Sequence, residues 1–336
     1  MNRRLVIGPA WVGDMVMAHT LIRLLKANYP DDAIDVLAPA WSQALLERMP
    51  EVDKIILSPF NHGELALAAR YRMGRALRKE KYVQALILPN SFKSALIPFF
   101  SGIAIRTGWA REGRRLIVND CRKLDKNRYP LMVQRFAALA FEANEALPSL
   151  LPYPLLKVDA EGATGLAARL ALDLEKPLLA LCPGAEFGPS KQWPASHYAE
   201  LANHKLDQGW QVCLLGSAKD QLQTQTIQKL TKDRCVDVAG KTSLTEAIDL
   251  LSMATLVVSN DSGLMHIAAA LQRPVVVVYG STDPRFTPPL GKAVKMVSLS
   301  LGCSPCFKRS CRFGHYHCLT QLSPYSVINA VDELLQ

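Results

Sequence analysis

A β-branched run, Val257-Val258-Ser259, gives way within a few residues to Leu264, Ile267, Ala268 and Leu271 at helical spacing. The chain must therefore turn from a buried strand into a helix between Asn260 and Gly263. This change of period constrains the fold more than any other feature, because a buried strand feeding a helix is the unit of a parallel α/β sheet. Asp261 or Ser262 is positioned to cap the helix, Gly263 lets a ligand approach the backbone, and the N–H groups of the first turn form an anion site. A phosphate-bearing ligand suits such a turn, although an ordinary capped turn reads the same way from these residues alone.

The alternation runs along the whole chain. Leu5–Gly8, Ala33–Ala38, Lys54–Leu57 and Gln84–Leu88 read as strands, with helices over Met15–Asn28, Ser42–Met49 and Glu64–Lys81. Thr107-Gly108-Trp109 and the arginines after it read as a mobile loop. Three prolines between Ala146 and Pro154 mark a linker, and the pattern then restarts. Leu178–Cys182, Gln211–Leu215, Cys235–Val238, Leu256–Ser259 and Pro274–Tyr279 are the second set of strands. The 336 residues are long enough for two cores, so an α/β architecture of two doubly wound, Rossmann-like domains is expected. They are residues 1–155 and 156–322, facing across a ligand cleft. The last helix, residues 323–336, is expected to pack back onto the first domain.

Charge divides the halves. Residues 1–150 hold 22 Lys and Arg against 14 Asp and Glu, so most of the net charge of +9 lies there. Between Arg70 and Arg128, 15 basic residues face four acidic ones. Such a field attracts a polyanion, either a phosphorylated substrate or an anionic membrane surface. Nucleic acid ranks lower, since no aromatic interleaving or recognised motif accompanies the charge. No secretory signal is expected, because Gly13-Asp14 interrupts the early apolar run. No run approaches the roughly 20 apolar residues of a membrane span. Eight cysteines without such a signal point to free thiols in a reducing cytoplasm.

Polar residues cluster where strands end. Gly8-Pro9-Ala10-Trp11-Val12-Gly13-Asp14 has the glycines of a phosphate loop, but Asp14 stands where such a loop needs lysine. It is therefore a candidate catalytic carboxylate at a strand's carboxyl end, or a helix cap. Asn90, Ser91 and Lys93 follow another strand, and Arg111, Arg114 and Arg115 form a basic cluster. In the second half, Pro183 to Pro194 is a shaped loop whose Lys191 is a mobile cation for phosphate. No Asp-x-Asp triplet is present to hold a bridging metal, so the charge of a leaving diphosphate falls to Lys191 and the helix after Asp261. Cys303, Cys306, Cys311 and Cys318, with His315 and His317, suffice in number for a zinc site, but their spacing is not that of paired CxxC motifs. Redox pairing and unliganded thiols stay open beside zinc.

Taken together, Gly8 to Asp14, Pro89-Asn90-Ser91-Phe92-Lys93-Ser94-Ala95, Pro183 to Pro194 and Asn260-Asp261-Ser262-Gly263-Leu264-Met265-His266 resemble the bacterial ADP-heptose:lipopolysaccharide heptosyltransferases of glycosyltransferase family 9. The resemblance is strongest to members that add the second heptose. It implies a GT-B fold and inverting transfer of L-glycero-D-manno-heptose from ADP-heptose onto the first heptose of the lipopolysaccharide inner core, with no cofactor required. It implies Asp14 as general base and Lys191 as the phosphate-binding lysine. It places Asp261, Ser262, Gly263 and His266 on the donor; beside them Glu186, Phe187 and Thr242 are expected on the donor, although Glu186 and Phe187 differ from the threonine pair of the first-heptose enzyme, and Asn90, Ser91, Lys93, Arg111, Arg114 and Arg115 are expected on the acceptor. The partners it implies are ADP-heptose, the anionic core acceptor and the inner face of the inner membrane, with a cytoplasmic, peripheral location and no nucleic acid. The alternatives are transfer to Kdo2-lipid A, a nucleotide-sugar epimerase on the same fold, and a nucleic-acid-binding protein.

Overall fold

Every strand pairing among the described residues is parallel, as the strand-to-helix alternation demands. The structure is a computed structural model describing residues 2–60 and 63–336, and the chain divides into units Met1–Pro154 and Leu155–Gln336. In the first unit β1 (Arg3–Ile7), β2 (Ala33–Pro39), β3 (Lys54–Ser58), β4 (Gln84–Ile87), β5 (Ile105–Trp109) and β6 (Asp120–Arg122) form one sheet in the order β3-β2-β1-β4-β5-β6. The chain runs outward from β1 through β2 to β3, then returns to β4 on the other side of β1. The β1–β4 junction is thus a topological switch point, where open sheets bind ligands.

β5 corrects the mobile loop expected at Thr107-Gly108-Trp109. Trp109 is buried against Tyr129, with ring centroids 5.8 Å apart, and its indole N–H donates to the Arg135 carbonyl at 3.0 Å. That aromatic anchor holds a strand whose own residues, an arginine and a glycine among them, have no strand pattern. β6 has only three residues, too short to announce itself.

In the second unit β7 (Leu178–Cys182), β8 (Gln211–Leu214), β9 (Val236–Asp237), β10 (Leu256–Asn260), β11 (Val275–Tyr279) and β12 (Val294–Ser298) take the order β12-β11-β10-β7-β8-β9. All residues of β7, β10 and β11 are buried, so their continuous apolar runs follow from helices covering both faces of the sheet. β12 is a half-exposed edge strand, and its mixed sequence Val-Lys-Met-Val-Ser gave no expectation of one.

Helix Pro324–Leu335 packs on β11, β12 and helix Ala195–Asp207, all in the second unit. Val327 and Val331 are fully buried with Tyr198, Val276 and Val278, and Lys205 donates to Asp332 at 2.8 Å. The helix was expected against the first domain; its apolar face is instead part of the second core. No helix of the described residues is long and apolar enough to cross a membrane.

Candidate active site

The second sheet reverses direction between β7 and β10, and one buried amide organises that junction. Asn260 ends β10 with no exposed surface. Its Nδ2 donates to the Pro183 carbonyl at 2.5 Å, while its Oδ1 accepts from the Trp193 N–H at 3.1 Å and the Tyr198 hydroxyl at 3.0 Å. Both ends of the Pro183–Trp193 loop are thereby tied to β10, because a buried amide must satisfy its donors and acceptor. Trp193, fully buried, adds a bond from its indole N–H to the Leu322 carbonyl at 2.9 Å.

Lys191 comes off this anchored loop with Nζ 2.6 Å from Asp261 Oδ2, their side chains 14% and 5% exposed. The Thr282 hydroxyl, from the loop after β11, donates to the same oxygen. Carboxyl ends of three adjacent strands therefore meet at one carboxylate. The sequence offered Asp261 or Ser262 as helix cap, but neither side chain caps helix Gly263–Ala270. Asp261 is engaged by Lys191 and Thr282, and Ser262 Oγ lies 3.2 Å from Ser259 Oγ. The first-turn N–H groups thus have no side-chain cap, the state in which a helix start receives an anion.

His266, one turn into that helix, is 5% exposed. Burial lowers its pKa to about 4; Lys191 pushes the same way and Asp261 opposes. The imidazole is neutral near pH 7, so it offers a hydrogen bond and no charge.

The other donor candidates are dispersed. Glu186 pairs with Lys219 at 2.6 Å on the surface, where such pairs stabilise by less than about 1 kcal/mol. Thr242 is half-buried in the turn before helix Leu244–Met253. Phe187 is more central, since Lys191 Nζ lies 4.9 Å and Arg309 Cζ 5.5 Å from its ring centroid. Arg309 belongs to the cysteine-rich segment and was not among the residues expected at the site. Cys303, Cys306, Cys311 and Cys318 are free thiols lining one cavity of about 20 Å³ with Ser190, Ser281 and His315. Among the described residues no three His, Cys, Asp or Glu are grouped to hold a metal ion.

In the first unit Asp14 is the third residue of helix Val12–Asn28, half-buried, just beyond the carboxyl end of β1. It is not the cap residue; Trp11 is, and it makes no side-chain cap bond. Across the switch point lies the loop after β4. Asn90 is exposed, and the Ser94 hydroxyl donates to the Ser91 carbonyl at 2.6 Å. Lys93 is half-buried, and its carbonyl accepts from Arg70 at 3.4 Å.

Arg114 was expected on the acceptor, yet its side chain is wholly buried. It donates to the carbonyls of Trp109 at 2.8 Å and Pro89 at 2.5 Å, and to Asn90 Oδ1 at 3.4 Å. Arg114 therefore holds the ends of β4 and β5 together, while Arg111 and Arg115 remain on the surface. Other members of the basic stretch are likewise spent on backbone: Arg78 donates to the Phe100 carbonyl, Arg106 to Ile117 and Arg122 to Ala138. Those N–H donors are no longer available to a ligand, although a neutral carbonyl leaves each guanidinium's charge in place.

Thr282 and Arg309 are the site residues that sequence reasoning missed. Thr282 follows β11 at a carboxyl edge, a position the rule for open sheets would have flagged. Nothing in the sequence signals Arg309, because its proximity depends on a segment without regular structure.

Against known proteins, a family model for glycosyltransferase family 9 (heptosyltransferase) matches residues 70–317. The chain is 46% identical to lipopolysaccharide heptosyltransferase 2 of Salmonella typhimurium and 45% identical to that of Escherichia coli K12, in each case over 98% of both chains. The solved E. coli ADP-heptose LPS heptosyltransferase II superposes with a TM-score of 0.89 at 43% identity, covering 100% of this chain and 98% of that one.

Proposed function

This chain belongs to glycosyltransferase family 9, and on that premise we propose that it moves L-glycero-D-manno-heptose from ADP-heptose onto the first heptose of the lipopolysaccharide inner core, inverting the anomeric carbon. The observation that carries the reading is the 46% identity, end to end, with a lipopolysaccharide heptosyltransferase 2. The meeting of Lys191, Asp261 and an uncapped helix start supports a diphosphate-bearing donor in the second unit.

In the proposed reaction the acceptor hydroxyl oxygen bonds to heptose C1 as the bond from C1 to the phosphate oxygen breaks. The hydroxyl proton passes to Asp14, and the electron pair leaves on ADP. Lys191 and the N–H groups of Gly263 and its neighbours stabilise charge growing on the diphosphate. Asp261 then holds heptose hydroxyls, with Thr282 and Lys191 fixing its orientation. The neutral His266 lies beside this carboxylate as a hydrogen-bonding group without adding charge. Since the positive charge comes from the chain itself, we propose that no metal or cofactor is required.

The acceptor reading assigns Asn90, Ser91, Lys93, Arg111 and Arg115 to its anionic groups, with Arg114 bracing the loop. We also propose a peripheral position on the cytoplasmic face of the inner membrane and no nucleic-acid partner. Leu116, 91% exposed beside Arg115, supports contact with an anionic bilayer.

The test is ADP release from ADP-heptose with Kdo2-lipid A, heptosyl-Kdo2-lipid A or no acceptor, in wild type and Asp14→Ala, with and without EDTA. Release only with the heptosylated acceptor, unaffected by EDTA and reduced at least 100-fold in Asp14→Ala, is expected. Release with Kdo2-lipid A alone would assign the first transfer instead. Donor turnover without acceptor would favour an epimerase.

A further inference from the structure

The residues from Leu299 to Tyr316 form no helix or strand, yet they are bonded tightly to the loop that carries Lys191. Ser190 N–H donates to the Arg309 carbonyl at 3.3 Å, and its hydroxyl donates to the Lys308 carbonyl. The N–H groups of Cys306 and Phe307 donate to the Ser281 carbonyl at 3.0 and 2.7 Å, and the Ser304 hydroxyl to Gly280 at 2.6 Å. Gly188 makes this approach possible: it has φ +139°, and a Cβ there would stand 2.7 Å from the Arg309 carbonyl oxygen. The backbone at Arg309 is therefore held against the loop of Lys191 by contacts from both sides.

The side chain follows. The Arg309 guanidinium lies over the Phe187 ring that Lys191 also approaches. Among the described residues no carboxylate pairs with it, whereas Lys191 is paired with Asp261 and Lys219 with Glu186. The charge balance needs such a group. With Lys191 neutralised by Asp261, the built site has little net positive charge for a diphosphate that becomes more negative as its sugar leaves.

We propose that Arg309, carried to the donor loop by the cysteine-rich segment, is a second cation for the diphosphate of the nucleotide-sugar donor, acting beside Lys191. The inference rests on the donor assignment above. A guanidinium presents paired N–H donors to two phosphate oxygens, a geometry an ammonium lacks. The cysteine-rich segment then has a place in the reaction: it is the bracket that brings this group to the site.

Calorimetric titration of adenosine, ADP and ADP-heptose into wild type, Arg309→Lys and Arg309→Ala, with steady-state kinetics on each, tests the assignment. Arg309→Ala is expected to weaken ADP about tenfold and raise the KM for ADP-heptose similarly, with adenosine affinity within twofold of wild type. Arg309→Lys is expected to recover part of the loss. Unchanged ADP affinity in Arg309→Ala would overturn the proposal, as would an equal loss for adenosine and ADP, which would mark a purely structural role. Wild type that binds neither ADP nor ADP-heptose would overturn the donor assignment itself, and this inference with it.

Discussion

His266 links a single residue's burial to a measurable property of the whole fold. Its pKa falls from the ordinary 6.5 to about 4 because burial removes water from the imidazolium. Between those two values the unfolded chain binds the proton and the folded chain does not. Its contribution is therefore complete above about pH 6.5 and is lost as the pH falls toward 4, by up to about 3 kcal/mol. Urea unfolding at pH 7.5 and pH 5, compared between wild type and His266→Gln, reads this directly. The variant is expected to lose less stability on acidification; an equal loss in both proteins would show that His266 is not the group responsible. Asp261, Lys191 and Thr282 form the same kind of compact arrangement, in which each side chain's position depends on the other two.

Elements act here mainly by bringing their ends together. The Pro183–Trp193 loop is held at Asn260 on one side and by the cysteine-rich segment on the other. Gly188 is where that second contact is closest. Gly188→Ala is expected to destabilise the second unit by about 1–3 kcal/mol, since alanine meets both the Arg309 carbonyl and an unfavourable φ. It is also expected to raise the KM for ADP-heptose several-fold while leaving acceptor KM near wild type. Chemical denaturation and kinetics together check this; a variant with native stability and donor KM would remove the segment from the site. In the first unit Arg114 has the matching role, tying Pro89 to Trp109 beneath the exposed Asn90.

For the whole molecule, charge is the property that separates the two substrates. Most of the net +9 lies in residues 1–150, although several of those arginines are committed to backbone carbonyls. What remains on the surface, Arg111 and Arg115 among them, is exposed and screened by salt within about 10 Å. Raising salt from about 0.05 to 0.5 M is accordingly expected to raise the KM for acceptor at least fivefold and to change ADP affinity less. Flotation with anionic vesicles is expected to weaken in Leu116→Ser. Equal salt sensitivity for donor and acceptor, or unaltered flotation, would count against a basic acceptor-binding, membrane-facing surface.

The sequence by itself determined the fold class, because buried parallel strands require continuous β-branched runs and crossover helices require a 3.6-residue period. It placed Asp14, Lys191 and Asp261 after strands, since the carboxyl edge of an open sheet follows from strand direction alone. Edge strands β6 and β12 escaped, being short or half-exposed with little alternation to read, whereas β9 falls inside the expected Cys235–Val238. Only the tertiary structure decided which charges are available. It buried Arg114 among carbonyls, joined Lys191 to Asp261, brought Arg309 from over a hundred residues away to Phe187, and built the last helix into the second core. The physical reason is the same in each case: period and composition are local, whereas the partner that satisfies a buried donor or charge is chosen by packing between segments distant in the chain.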